Sequence, residues 1–94
     1  MDNFWDLMFG IMNNNYEIAE KVGRDTVGPF TIDTCYTADQ GWETAVWKDS
    51  NDMIIVARYP TKEEAVEGHE DWKRACLLNP TSAWSVQTES YEAF

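Results

Sequence analysis

One histidine, two cysteines and seventeen carboxylates are the side chains in this 94-residue sequence to which catalysis or metal binding would first be assigned. The histidine lies in YPTKEEAVEGHEDWK (residues 59–73), beside five acids. A thiol–imidazole pair is the first chemistry to test. Cys76 follows His69 by seven positions, about 10 Å along a helix axis and too far for a hydrogen bond. Pairing Cys35 with His69 would place the nucleophile inside a core strand. A zinc site takes about four ligands, and one His with two Cys lacking C-x-x-C spacing falls short. No glycine-rich phosphate loop is present. The sequence reads as non-enzymatic, with no metal and no cofactor. A small-molecule pocket lined by Tyr36, Trp42, Trp47 and Tyr59 stays open, because five tryptophans are many for this length.

The acids of 59–73 then need another account, and helix geometry supplies it. T-K-E-E at 61–64 is a capping box, in which Thr61 accepts from the third helical N–H and Glu64 reaches back. Glu63 and Glu64 also suit the positive end of the helix dipole. Asn79 precedes Pro80 and is pushed out of the α region, which predicts a helix over 61–78. At 100° per residue Ala65, His69, Trp72 and Cys76 fall within about 60°, a buried stripe flanked by Val66 and Leu77. Gly68 inside this helix costs roughly 1 kcal/mol against Ala, which predicts close approach of a bulky strand residue such as Trp42 or Trp47. His69 reads as a core-edge histidine. The outer face carries Glu63, Glu67, Glu70, Asp71 and Arg74. Glu70–Arg74 is a favourable i,i+4 pair and Glu63–Glu67 an unfavourable one of similar size. Local stability does not explain so many acids; solvation would, and so would Lys or Arg on a partner.

The elements that hold this helix are strands. YEIAEKVGRD (16–25) alternates imperfectly, with Glu20 breaking the pattern and a helix as the competing reading. TVGP (26–29) is a turn. Residues 29–39 place Phe30, Ile32 and Tyr36 on one face and Asp33, Cys35 and Thr37 on the other. Residues 42–49 place Trp42, Thr44 and Val46 opposite Glu43, Ala45 and Trp47. MIIVARYP (53–60) is the most apolar run and is expected to be central, with Pro60 ending it. Short turns between the three runs predict an antiparallel meander. AWSVQTES (83–90) has strand character, and residues 91–94 are expected to be loose.

The expected fold is therefore α+β: an antiparallel sheet of four or five strands with one long helix packed on one face. Residues 16–90 form its single domain. Residues 1–15 form an apolar N-terminal arm holding Phe4, Trp5, Leu7, Met8, Phe9, Ile11 and Met12. The arm either packs on the domain or serves as an exposed anchor for a partner. Both strand faces carry large apolar groups, so the face away from the helix must be covered by the arm or by a second subunit, and a homo-oligomer is expected.

Charge bounds the partners. Seventeen Asp and Glu against seven Lys and Arg give a net charge of −10. Direct nucleic-acid binding needs clustered cations and is not expected; an anionic membrane is disfavoured likewise. No apolar run approaches the roughly 18 residues that span a bilayer. No basic-then-apolar leader is present, so a cytoplasmic chain with two reduced cysteines is expected. The acidity either keeps the chain soluble or meets a basic surface.

Three segments carry a resemblance: the strand D-T-C-Y-T-A-D at Asp33–Asp39, the strand G-W-E-T-A-V at Gly41–Val46, and R-Y-P-T-K-E-E-A-V-E-G-H-E-D-W at Arg58–Trp72. The chain resembles a group of small uncharacterised bacteriophage proteins over residues 16–75. The last motif matches most specifically, through Glu63, Glu64, Ala65, Gly68, His69 and Trp72. The resemblance assigns no activity to any residue. It implies a phage origin and the host-cell cytoplasm as location. It also implies a role in binding a host protein with a basic surface, to inhibit or redirect it, as an anti-defence factor or nucleic-acid mimic. On this reading the partner-binding residues are Glu63, Glu67, Glu70 and Asp71, with Phe4, Trp5 and Phe9 of the arm as a second contact. The alternatives are an oligomeric sponge for a signalling nucleotide, with Arg24, Lys48 and Arg58 as its candidate cations outside the helix, and a minor virion component.

Overall fold

The computed structural model describes residues 18–94. The arm, with Phe4, Trp5 and Phe9, lies outside the described residues. Four strands follow one another as an antiparallel meander in the order β1 (Ile18–Val27), β2 (Phe30–Thr37), β3 (Gly41–Lys48), β4 (Ile54–Tyr59). Helix α1 (Lys62–Cys76) crosses one face, and a small antiparallel hairpin, β5 (Ser82–Ser85) and β6 (Ser90–Ala93), ends the chain. The α+β class is as expected, with the strands divided into a sheet of four and a sheet of two.

Turn chemistry sets the meander. Gly28, at φ 57°, joins β1 to β2 through the two-residue Gly28–Pro29 loop, so β1 runs two residues beyond its expected end. Gly41, at φ 78°, closes the loop from β2 to β3. β4 is the last strand of the sheet, not a central one. Its apolar run is explained by burial on both faces, since Ile54 and Val56 pack toward α1 and Ile55 away from it. Its edge is also met by the hairpin, where Val86 N–H donates to the Ile55 carbonyl at 2.9 Å.

Two irregularities decide which side chains share a face. In β4 the register slips by one residue, so that Ala45 opposes Ile55 while Thr44 opposes Ala57. Val56 is the extra residue, and after it the alternation is inverted. Tyr59 consequently faces α1 and Arg58 faces away. In β1 a slip between Lys21 and Gly23 places both Lys21 and Arg24 on the face away from α1, opposite Cys35 and Asp33. Glu20, whose alternation breaks in the sequence, lies between this slip and another beginning at Ile18.

The helix-side core is Phe30, Ile32, Val46, Ile54, Val56, Cys76 and Ala83, with Trp72, Ala57 and Phe94 packed on it. Each large apolar side chain buried there contributes roughly 1.5–3 kcal/mol. The opposite cluster is Cys35, Ala45, Trp47 and Ile55.

Helix α1 begins as its capping box requires: Thr61 is extended and its Oγ1 accepts from Glu64 N–H at 3.2 Å. Its end comes earlier than expected. Leu77 caps it, and the amides of Leu77, Leu78 and Asn79 reach back only three residues, a tightened last turn. Asn79 then takes a positive φ of 52° before Pro80. Leu77 is 72% exposed and Val66 43%, so the two do not flank a buried stripe. Residues 91–94, expected to be loose, are ordered by pairing and packing. Ser85 Oγ accepts from the Gln87 and Thr88 amides, Glu89 takes a positive φ, and β6 returns along β5. Phe94 meets the Phe30 ring edge-on at 5.1 Å.

Candidate functional site

Two places on the described fold hold polar side chains in an arrangement that chemistry or binding could use. The first lies under α1. His69, 2% exposed, accepts or donates at both ring nitrogens: Nε2 meets Asp25 Oδ2 at 2.8 Å and Nδ1 meets Thr34 Oγ1 at 2.7 Å. Thr34 Oγ1 continues to Thr44 Oγ1 at 2.6 Å, and Thr44 to the Tyr59 hydroxyl at 3.0 Å. Five side chains from β1, β2, β3, β4 and α1 thus form one hydrogen-bonded line. The hydrogen bond from His69 holds the Asp25 carboxyl below its usual range, with Lys73 at 3.7 Å adding attraction. Burial pushes the Tyr59 phenol up.

Carboxylate, imidazole and hydroxyl in series have the composition of a nucleophilic relay. The relay lacks access. Thr34 and Thr44 are fully buried beneath the helix, so no substrate atom reaches the hydroxyl. The same bonds satisfy every polar atom they join, which is what a buried network requires of its members. His69 is accordingly a core histidine with both ring nitrogens engaged. Gly68, the next residue, lies against Tyr59: a Cβ there would collide with the tyrosine's hydroxyl and ring. The close approach foreseen for Gly68 is real, but its partner is Tyr59 in place of Trp42 or Trp47.

Neither cysteine joins this site. Cys35 is on the other face of the sheet from His69. Burial pushes the Cys76 thiol up to about 11, so it is protonated and unreactive at neutral pH. The four aromatic residues do not line one pocket: Tyr36 and Trp42 stack at 5.0 Å, Tyr59 covers Gly68, and Trp47 faces away from the helix under Arg24. Among the described residues no group of three or more His, Cys, Asp or Glu side chains is placed to hold a metal ion. No described helix is long and apolar enough to cross a membrane.

The second place is the outer face of α1. Glu63, Glu67, Glu70 and Asp71 are all exposed there, on a helix fixed at its start by the Thr61 cap and along its inner side by His69 and Ala65. The structure divides the four. Glu70 pairs with Lys73 at 3.3 Å and Asp71 with Arg74, both at i,i+3. The Glu70–Arg74 pairing expected from i,i+4 spacing is therefore replaced by these two. Among the described residues neither Glu63 nor Glu67 has a salt bridge or a side-chain hydrogen bond. Exposed pairs of this kind are worth under about 1 kcal/mol, so Glu70 and Asp71 are neutralised only loosely.

The cations foreseen for an anionic ligand are occupied elsewhere. Arg24 Nε binds Asp33 at 2.5 Å, Arg58 Nε binds Glu43 at 2.6 Å, and Lys48 stands over the Phe30 ring. An open hollow of about 500 Å³ is lined by Ser50, Asn51, Asp52, Glu92, Ala93 and Phe94, which include two acids and no cation. An exposed aromatic pair, Trp84 and Tyr91, stacks edge-on at 5.1 Å across the hairpin. Along β5 Trp84 alternates with the buried Ala83 and Ser85 and so points outward.

Comparison with family models, with curated proteins and with solved structures returned no match to this chain.

Proposed function

We propose that this chain is a small acidic bacteriophage protein that binds a host protein with a basic surface and inhibits or redirects it, without catalysing a reaction. The observation that carries this reading is the outer face of α1. It presents Glu63 and Glu67 with no cation of the described fold engaged to them, on a rigidly capped helix. The net charge of −10 gives that face a field that speeds encounter with a basic partner and repels nucleic acid and other acidic proteins. The buried Asp25–His69–Thr34 line supports a non-catalytic role, because its polar atoms are spent on one another. The partner surface that fits is a groove rich in Lys and Arg of the kind that holds a phosphate backbone.

Reversing the four charges (Glu63→Lys, Glu67→Lys, Glu70→Lys and Asp71→Lys) tests the reading. Capture of a host protein by the purified chain at low salt is expected to be lost in the variant and to weaken with added salt in the parent. The Glu63 and Glu67 reversals are expected to account for most of the loss, since Glu70 and Asp71 already share their charge with Lys73 and Arg74. Capture that survives all four reversals overturns the assignment of this face.

A further inference from the structure

The chain that follows α1 exposes apolar groups and carries no cation. Among the described residues the exposed large apolar side chains are Val66 on the helix and then Leu77, Leu78, Trp84 and Tyr91 beyond it. Residues 75–94 contain Glu89 and Glu92 but no Lys, Arg or His. Trp84 on β5 stands directly opposite Tyr91 on β6, with ring centroids 5.1 Å apart and ring planes at 78°. The two residues are 46% and 73% exposed. Cross-strand packing accounts for their contact with each other, but not for their exposure. The hairpin is held from its other side. Ala83 is buried in the helix-side core, Phe94 meets Phe30, Ser85 Oγ accepts from two turn amides, and Val86 N–H donates to Ile55. Trp84 and Tyr91 are thus preorganised aromatic anchors of the kind that dominate protein interfaces.

Placement and charge say what fits them. Ala83 and Phe94 of the hairpin share one core with Cys76 and Trp72 of α1. Helix and hairpin therefore cover the same face of the sheet, and both turn their outer sides away from that core. The aromatic pair belongs to the same outer layer as the ridge of Glu63, Glu67, Glu70 and Asp71. The cations of the last helical turn are engaged, Lys73 by Glu70 and Asp25 and Arg74 by Asp71. Elsewhere the fold lays its own cations on its rings, Arg24 over Trp47 at 5.5 Å and Lys48 over Phe30 at 5.8 Å. The face of an aromatic ring is electron-rich and attracts a cation. A guanidinium is planar and weakly hydrated, so it stacks there at less cost than an ammonium. Open π faces on a cation-free segment of a chain of net charge −10 are complementary to arginine.

We propose that the outward face of the β5–β6 hairpin, through Trp84 and Tyr91, receives an arginine side chain of the same basic partner protein that meets the α1 ridge. The assignment rests on the acidic-face reading for the charge of that partner. It divides the work of recognition between two parts of one layer: the acids attract the partner from a distance, and the rings fix its register on contact.

Hexa-arginine and hexaproline peptides, titrated into the full chain at low salt and followed by nuclear magnetic resonance, provide the test. Hexa-arginine is expected to shift the Trp84 indole N–H and the Tyr91 ring signals, and to have its own side-chain protons shifted by their ring currents. Hexaproline is expected to leave the pair unmoved. These readings on the unmodified chain do not depend on a variant folding. Trp84→Leu with Tyr91→Leu keeps apolar bulk on the hairpin and removes both π faces. Its affinity for hexa-arginine is expected to fall roughly five-fold or more, while an Overhauser contact between Phe30 and Phe94 reports that the hairpin stays docked. Binding that is lost on reversing the four α1 charges, yet leaves Trp84 and Tyr91 unmoved, overturns this proposal and leaves the acidic-face reading standing. Ring-dependent binding that survives the reversal supports the arginine contact and overturns the ridge. A hexa-arginine titration without any shift of the pair overturns the proposal. So does a response to hexaproline, which assigns the pair to a proline-rich partner. Shifts of the pair on concentrating the chain alone, together with a dimeric mass, also overturn it and assign the face to a second copy.

Discussion

The two faces of the four-stranded sheet both bury polar side chains, and they satisfy them by different means. Toward α1 the buried groups are two threonine hydroxyls and an imidazole, joined to Tyr59 and Asp25 at the margins. Within that hydrogen-bonded line the one carboxylate is Asp25, which is partly solvated. Away from α1 the buried charged groups are carboxylates: Asp33 between Lys21 and Arg24, and Glu43 against Arg58. Neutral hydrogen bonds lose little on desolvation if every atom is paired. Buried ions lose several kcal/mol each, and recover it only through close geometry. The first face therefore tolerates change in proportion to the atoms left unpaired, and the second depends on whole charges.

Removing one charge probes this difference most strongly. Asp33→Ala leaves Lys21 and Arg24 without their shared carboxylate and is expected to cost about 3–5 kcal/mol in urea unfolding. The comparison sharpens if Lys21→Met, Arg24→Met and Asp33→Leu together restore most of that stability. On the helix side Thr34→Val keeps shape while stripping His69 Nδ1 of its partner, and an expected loss of about 1–3 kcal/mol is read in the same assay. A loss as large as that of Asp33→Ala would erase the distinction between the faces.

The smallest effect is on pH dependence, where the faces have opposite signs. Asp25 has a lowered pKa, so its contribution is present above the ordinary value of 3.8 and lost as pH falls through the lowered one. Glu43 has a raised pKa, so its contribution is complete below 4.5 and lost as pH rises through the raised one. Glu43→Gln is expected to flatten the decline in urea midpoint above pH 4.5, and Asp25→Asn the decline toward acid. Unchanged profiles in both variants would show that neither group titrates differently on folding.

Much of this arrangement is legible in the sequence, and the exceptions share a cause. The capping box, the inward Ala65–His69–Cys76 stripe and the alternation of β2 and β3 follow from periods that hold without interruption. A bulge interrupts the period with no marking in residue type. Val56 looks like any strand valine, yet it exchanges the faces of Arg58 and Tyr59 and so determines the neighbour of Gly68. The β5–β6 turn was hidden similarly, because Glu89 adopts a positive φ that its chemistry does not advertise. The ridge of α1 was legible as a set of exposed acids. Its division into paired and unpaired members depended on rotamers, which spacing does not specify.

The contact between Gly68 and Tyr59 means that these two positions cannot be read as separate letters. The ring on β4 fills the space that any side chain on the helix would need, and its hydroxyl completes the partnership of Thr44. A larger residue at 68 is compatible with this backbone only if 59 becomes smaller, and 44 then has to become apolar or find another donor. Changes at the three positions will be non-additive, each acceptable or harmful according to the other two. Three elements distant in sequence thus share a single choice of residues, and drift at one position is held in check by the other two.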